Sequence, residues 1–139
     1  MANEAVIVSL GPQGGRPIRF TCASGTAITK GTILALTDPK TVTANTAYTD
    51  RFAGIAAADK ANNDYSTTIA VYTDGLFDLR MGGAAATAGD IVLLSGANLI
   101  SGASTTLVDY VAGRAVGKAL ETTVAGTSET IVVDIGQRF

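Results

Sequence analysis

Ala27–Leu36, AITKGTILAL, is informative about the fold because a similar segment, AATAGDIVLL, returns later in the chain at Ala85–Leu94. In both stretches a Gly precedes a run of apolar residues, at Gly31 and at Gly89. Glycine permits the positive φ of a tight turn, so each stretch predicts a turn followed by a strand.

Two further blocks repeat in the same order. Phe52–Ala56 is similar to Val111–Ala115, and Ser66–Val71 is similar to Ser128–Val133. Order is kept while the spacing between blocks changes, which is typical of a duplicated unit whose loops differ in length. We therefore expect a β-rich unit at about residues 20–80, repeated at about 81–136 and packed against its copy.

From Ile18 onward the pattern predicts an all-β protein, because Thr, Val and Ile are frequent and no helical periodicity persists beyond two turns. The expected fold is a small β-barrel or β-sandwich built from the two units. Asp74-Gly75 gives the strongest hairpin signal, between the fourth and fifth predicted strands. Strands are predicted at Arg19–Cys22, Ile33–Leu36, Phe52–Ala57, Thr68–Tyr72, Leu76–Leu79, Ile91–Ser95, Val111–Ala119 and Thr130–Ile135.

Residues 1–17 differ from the rest of the chain. The apolar run Ala5–Leu10 is followed by GPQGGRP at residues 11–17, where three Gly and two Pro disfavour both a helix and a central strand. We expect an extended N-terminal arm that adds to a sheet edge or docks on a neighbour, followed by a single domain at residues 18–139. The alternative is that the apolar run is the first strand of the domain's own sheet.

Composition argues against nucleic acid and membrane partners. Of the 139 residues only 16% are charged, the net charge is −2, and the apolar fraction of 47% contains no run long enough for a transmembrane helix. The first residues lack the cationic region of a signal peptide, so we expect synthesis in the cytoplasm. A neutral surface rich in Thr, Ala and Gly favours coverage by partner proteins.

Few residues in the chain support catalysis or metal binding. There is no His, and Cys22 is the single cysteine, so the usual general base and the commonest zinc ligand are missing. Gly11–Gly15 lacks the Lys of a phosphate loop. The oxygen-rich run Asp59–Asp64 departs from EF-hand spacing, although an irregular Ca²⁺ site stays open. We expect no enzyme activity, no cofactor and no small-molecule substrate, and we expect the four tyrosines to be core or interface residues.

Several short motifs occur in a fixed order: the turn and strand at Ala27–Leu34, FAGIA at Phe52–Ala56, VYTDGLFDL at Val71–Leu79 and AGDIV at Ala88–Val92. In this order they resemble the head decoration, or capsid cement, proteins of tailed phages. The resemblance covers about residues 20–136.

This resemblance implies a non-enzymatic protein that binds the outer surface of an icosahedral phage head and stabilises the shell by bridging capsomers. The implied partners are the major capsid protein and two further copies of the chain in a homotrimer. Some proteins of this kind reach the shell with the N-terminal segment, which corresponds here to Ala2–Pro17. Open alternatives are a ligand-binding β-clip module, a tail or fibre component, and an enzyme acting through Asp or Tyr.

The candidate contact residues follow from the arm and from the two chain ends. The apolar run would contact the shell or an adjacent subunit, two arginines near its base would pair with acidic groups of the shell, and the last two residues form a second candidate. These residues are Val6, Ile7, Val8 and Leu10 in the arm, Arg16 and Arg19 at its base, and Arg138 and Phe139 at the end of the chain.

Overall fold

The computed structural model describes residues 4–10, 17–82, 84–102, 113–123 and 127–135. These residues form strands, turns and loops, and none of them belongs to a helix that is long and apolar enough to cross a membrane. The strands are β1 (Val6–Ser9), β2 (Ile18–Thr21), β3 (Ile33–Asp38), β4 (Thr41–Ala44), β5 (Phe52–Ala56), β6 (Thr68–Tyr72), β7 (Gly75–Gly82), β8 (Ile91–Gly96), β9 (Leu99–Gly102), β10 (Ala115–Ala119) and β11 (Thr127–Ile135).

The strands close into two five-stranded barrels. Barrel 1 contains β2 to β6 in the order β2-β4-β3-β5-β6. Barrel 2 contains β7 to β11 in the order β7-β11-β10-β8-β9, and it closes because β9 also pairs with β7. The predicted all-β fold of two similar barrel units is therefore confirmed, and β1 lies outside both barrels as an added strand on β7.

The two barrels have the same topology. In each, the first strand runs parallel to the third, as β2 with β4 and β7 with β9, and antiparallel to the fifth. The register also repeats, since Leu34 lies opposite Gly54 in barrel 1 and Val92 lies opposite Gly117 in barrel 2. A residue in one barrel can therefore be matched to its counterpart in the other.

The ladder registers correct the predicted alignment of the second repeated block, Phe52–Ala56 with Val111–Ala115. Phe52–Ala56 forms β5, and its counterpart is β10, which begins at Ala115 rather than at Val111. The predicted alignment was wrong because it placed Gly54 on Gly113, whereas the ladder places it on Gly117.

The other two repeated blocks keep their predicted alignment. Leu34 and Val92 lie opposite the matched glycines of β5 and β10. Val71 lies opposite Ala56 of β5, and Val133 lies opposite Ala119 of β10. The first and third blocks therefore occupy equivalent strands of the two barrels.

The glycine of the repeated motif has the same role in both barrels. Gly31 has φ of 91° and Gly89 has φ of 96°, a region that side chains with a Cβ rarely adopt. The N–H of Gly31 donates to the carbonyl of Ala56 at 2.9 Å, and the N–H of Gly89 donates to the carbonyl of Ala119 at 2.7 Å. The motif thus turns the chain and ties the turn to the fourth strand of its barrel.

The barrel interiors are built from matched positions. Each fully buried aliphatic side chain contributes about 1.5–3 kcal/mol to folding, so the repeated positions supply a similar core to each unit. The core of barrel 1 contains Cys22, Ile28, Leu34, Val42, Ala56, Ile69 and Val71, and barrel 2 has Met81, Ala86, Val92, Ile100, Ala119, Ile131 and Val133 at the same positions.

The predicted hairpin at Asp74-Gly75 is wrong. β6 ends at Tyr72 and belongs to barrel 1, whereas β7 begins at Gly75 and belongs to barrel 2, so the two strands do not pair. Gly75 has φ of 122°, which explains why a glycine is present. Its conformational freedom redirects the chain from one barrel to the next instead of closing a two-residue turn.

Candidate interaction surface

β1 connects the two barrels. The N–H of Ala5 donates to the carbonyl of Gly31 in barrel 1 at 2.8 Å. The strand then runs antiparallel to β7 of barrel 2, with Val6 opposite Asp78 and Ile7 opposite Phe77. The described part of the N-terminal segment is thus a strand of the chain's own sheet, which was one of the two interpretations of the apolar run.

Two of the candidate contact residues, Val6 and Val8, form an exposed apolar strip on β1, with exposed fractions of 60% and 47%. Ile7 is 36% exposed and lies on the Phe77 side of the strand, where it lines a small pocket with Ala5 and Tyr72. Leu10 instead turns inward and packs against the core of barrel 2. Because β1 is held by backbone hydrogen bonds to both barrels, the strip has a fixed position on the molecule.

The remaining candidates do not join this strip. Arg19 lies on β2 of barrel 1, where its side chain is exposed and Nη1 donates to Thr68 Oγ1 at 3.4 Å. Arg16, Arg138 and Phe139 lie outside the described residues.

The barrels meet at an apolar junction. Ile33 and Ile55 from barrel 1 share one buried cluster with the barrel 2 residues Phe77, Leu94 and Ile135. Their exposed fractions are at most 2%, so the contact excludes water. Within barrel 2, Phe77 and Leu94 continue the inward-facing rows of their strands, since side chains two residues apart share a face. The outer wall of barrel 1 therefore covers one end of barrel 2.

Rings and backbone groups also contribute to the junction. Tyr72 of barrel 1 packs against Phe77, with ring centroids 5.8 Å apart. The N–H of Ile33 donates to Asn98 Oδ1 at 2.9 Å. Ala47 forms a β-bridge with Gly96, which brings the β4–β5 loop of barrel 1 onto the β8–β9 hairpin of barrel 2. These directional contacts fix how the two barrels are oriented.

Among the described residues, no wall packs over the matching end of barrel 1. Ile18 is the counterpart of Phe77 and is 45% exposed, and Leu36 is the counterpart of Leu94 and is 39% exposed. A shallow depression of about 190 Å³ adjoins Leu36 and is also lined by Asp38 and Arg51. We call Ile18, Leu36, Asp38 and Arg51 the end surface of barrel 1.

Sequence reasoning missed this end surface. The repeated motifs begin at Ala27, so they do not align Ile18 with Phe77, and Leu36 has the pattern of an ordinary strand residue. Extending the alignment to β2 and β7 gives the signal, because Phe77 and Leu94 are buried while their counterparts are exposed.

The buried cation Lys60 stabilises a loop of barrel 1. It is 4% exposed, and Nζ donates to the carbonyls of Ser24 at 3.1 Å and Thr26 at 2.9 Å. Nζ also lies 3.7 Å from Asp64 Oδ1. Burial raises the pKa of the Cys22 thiol above its ordinary value, with the charge of Lys60 lowering it and that of Asp64 raising it. The thiol is therefore protonated and shielded.

The acidic residues of the oxygen-rich run bind backbone groups of the chain. Asp59 Oδ1 accepts from the N–H of Lys30 at 2.7 Å, and Asp64 Oδ1 accepts from the N–H of Ser66 at 2.8 Å. Among the described residues no group of three or more His, Cys, Asp or Glu side chains is arranged to hold a metal ion. The run therefore has a structural explanation as a loop.

The tyrosines divide between the junction and the surface. Tyr72 is half-buried at the junction, whereas Tyr48 is 64% exposed and Tyr65 is 80% exposed. Neither of these two is a core residue, and an interface role for them stays a prediction. Tyr110 lies outside the described residues.

Comparison with known proteins assigns no family. The chain matches no protein-family model. It matches no curated protein either. The strip on β1 and the end surface of barrel 1 are therefore the features from which a function can be inferred.

Proposed function

We propose that the chain is a structural protein of a phage virion, which binds the outer surface of the icosahedral head and stabilises the shell by bridging capsomers. Its partners in this proposal are the major capsid protein and further copies of itself in a homotrimer. The observation that carries the proposal is the exposed apolar strip Val6 and Val8, presented on a strand that both barrels hold.

The strip is suited to contact with another protein. Exposed aliphatic side chains gain about 25 cal/mol for each Å² of apolar surface removed from water. Since β1 is already hydrogen-bonded to β7 and Gly31, binding requires little further ordering of the backbone. A preformed strip on a rigid pair of barrels therefore supports a docking function.

The low charge of the chain supports the same function. Only 16% of the residues are charged, so a protein surface can approach closely with few ionic groups to desolvate. In a trimer three such strips act together, because the first contact makes the following ones effectively intramolecular. Weak contacts in each copy then suffice to hold neighbouring capsomers together.

The proposal assigns the chain no catalytic role. It has no His, and its single cysteine is buried with a raised thiol pKa, which disfavours a nucleophile. The carboxylates of Asp59 and Asp64 are engaged by backbone N–H groups. In the proposal the chain is made in the host cytoplasm and acts on the outside of the head.

The experiment that tests this function is co-sedimentation of the purified chain with expanded, undecorated phage heads. We expect saturation near one chain for each shell subunit. The double variant Val6→Asp/Val8→Asp should lose binding, because it places two charges on the strip. Leu120→Asp is the matched control, since Leu120 is also an exposed aliphatic residue, at 44%, and lies outside β1.

Deletion of residues 2–15 provides a second variant, which removes β1 together with the packing of Leu10 against barrel 2 and should abolish binding. The barrels themselves contain only β2 to β11, and a melting curve of the variant shows that they are folded. Wild-type protein that stays in the supernatant would contradict the capsid function and favour a tail or fibre component. Binding that survives both the double substitution and the deletion would remove β1 from the contact.

A further inference from the structure

The uncovered end of barrel 1 is explained by the repeat. In barrel 2 the same end is covered by the outer wall of barrel 1, through Ile33, Ile55 and the half-buried Tyr72. In barrel 1 the corresponding end leaves Ile18 and Leu36 substantially exposed. Within the part of the chain that the structure describes, two aliphatic side chains from inward-facing rows are thus in contact with water.

We propose that the end surface of barrel 1 binds the outer wall of barrel 2 in a second copy of the chain. This deepens the self-association within the proposed function and does not depend on binding to a capsid. The residues of that wall are the counterparts of Ile33, Ile55 and Tyr72, namely Ile91, Lys118 and Asp134. Contacts between copies would then repeat the contact between the barrels of one chain.

The chemistry of the wall fits contact between subunits that fold separately. Ile91 keeps an aliphatic side chain where barrel 1 has Ile33, and it is partly exposed. Lys118 and Asp134 lie opposite each other on β10 and β11, so a cation and an anion replace Ile55 and Tyr72. The end surface likewise presents one anion and one cation, Asp38 and Arg51, beside its aliphatic residues.

The contact is heterologous, because it joins different surfaces of the two copies. Such contacts form a closed ring or an open filament. Three copies give a ring of six barrels, in which barrels 1 and 2 alternate and each covers the end of the next. The proposed homotrimer thereby acquires a defined interface, and no end surface remains uncovered.

Chemical cross-linking tests the contact directly. In the double variant Leu36→Cys/Lys118→Cys, a short bis-maleimide should join copies into a ladder of dimers and trimers. The native Cys22 is 4% exposed, so the cross-linker should not react with it in the folded protein. Each single variant should give no such ladder, since a heterologous contact does not bring identical residues together. Covalent dimers from Leu36→Cys alone would overturn the proposal in favour of a two-fold contact.

The mass of the chain in solution supplies an independent measurement. Ile18→Asp should lower the mass measured by light scattering from that of a trimer to that of a monomer, while Leu120→Asp should leave it unchanged. A melting curve close to that of the wild type shows that the Ile18 variant is folded, and the cross-linking result does not depend on this variant.

The outcomes separate this interface from the capsid function. If Ile18→Asp is still a trimer and the double cysteine variant gives no ladder, the interface lies elsewhere. A wild-type chain that is monomeric at every concentration and yields no ladder would also overturn it. Co-sedimentation with heads is scored separately, so failure to bind the shell leaves the interface standing.

Discussion

Lys60 and Thr123 occupy the same position in the two barrels and are both buried, with exposed fractions of 4% and 5%. The N–H of Lys60 donates to the carbonyl of Ile28 at 2.7 Å, and the N–H of Thr123 donates to that of Ala86 at 2.9 Å. The side chains make different contacts. Thr123 Oγ1 accepts from the N–H of Ala86, whereas Lys60 Nζ donates across a loop to the carbonyl of Thr26. The repeat thus keeps the backbone contact and varies the polar side chain.

Replacing Lys60 by Met should destabilise barrel 1. The substitution keeps most of the aliphatic stem but removes the donor to the carbonyls of Ser24 and Thr26. Hydrogen bonds from a charged donor are worth about 1.5–3 kcal/mol each, offset by the relief of burying the ammonium, so we expect a net loss of about 1–3 kcal/mol. Denaturant unfolding measures it. Lys30→Met, at an exposed site, should change the free energy of unfolding little.

Alanine at Gly54 or Gly117 should destabilise the chain for a steric reason. A Cβ at Gly54 would collide with the carbonyl oxygen of Tyr72, and one at Gly117 with that of Asp134. Neither glycine has a positive φ, so the close approach of the adjacent strand is the cause. Overpacking of this kind costs about 1–3 kcal/mol.

Gly25 is the matched control for these two substitutions. A Cβ at Gly25 would meet nothing within 4 Å. Gly25→Ala should therefore leave the melting temperature close to that of the wild type. Equal effects at Gly25, Gly54 and Gly117 would show that the loss of glycine flexibility, rather than the collision, determines the stability.

Asp50 should make the junction sensitive to acid. Partial burial raises the pKa of its carboxyl. Hydrogen bonds from the N–H groups of Thr46 and Ala47 and from the Asn45 side chain lower this pKa by more than burial raises it, so the net pKa is below its ordinary value. The stability that it contributes is present above the unfolded pKa and is lost as the pH falls through the folded pKa.

Stability measured against pH checks this effect. The free energy of unfolding of the wild type should decrease as the pH is lowered below about 4. Asp50→Asn should be less stable than the wild type at pH 7, and its free energy of unfolding should decrease less on acidification. The exposed Asp74 is a suitable control, and Asp74→Asn should leave the pH profile unchanged. Parallel profiles for wild type and Asp50→Asn would contradict the role of this carboxyl.

The thiol of Cys22 should react only when barrel 1 opens. It is 4% exposed and its pKa is raised by burial, so both access and thiolate formation are disfavoured. Ellman's reagent at pH 8 should label the unfolded protein at once and the native protein at a rate set by opening. Thr43→Cys, at an exposed position on β4, should be labelled rapidly in the native state. Rapid native labelling of Cys22 would indicate a mobile barrel.

The sequence allowed the prediction of every long strand but not of the third strand in each barrel. β4 and β9 have four residues each and follow two-residue turns in which Lys40 and Asn98 have φ of 52° and 56°. Asn adopts this conformation readily, whereas Lys does so seldom, so only the second turn carries a local signal. Without β4 and β9, closure of the barrels could not be derived.

The end surface of barrel 1 could not be predicted for a different reason. Ile18 and Leu36 look like core residues in the sequence, because their apolar character is the same as that of Phe77 and Leu94. Their exposure depends on which wall covers which barrel, and that is decided by tertiary packing alone. Likewise the apolar run in the N-terminal segment did not reveal that its partner is β7.

The pairing of β1 has a consequence for the order of events on the ribosome. Ile7 lies opposite Phe77, so synthesis must proceed as far as Phe77 before this strand can meet its partner. Barrel 1 needs only β2 to β6 and is complete once Tyr72 has been added. Since contacts of long sequence separation form late, β1 stays without its sheet partner while the first barrel closes. β1 can therefore pair only after β7 of barrel 2 has been synthesised, and the apolar strip acquires its fixed position only then.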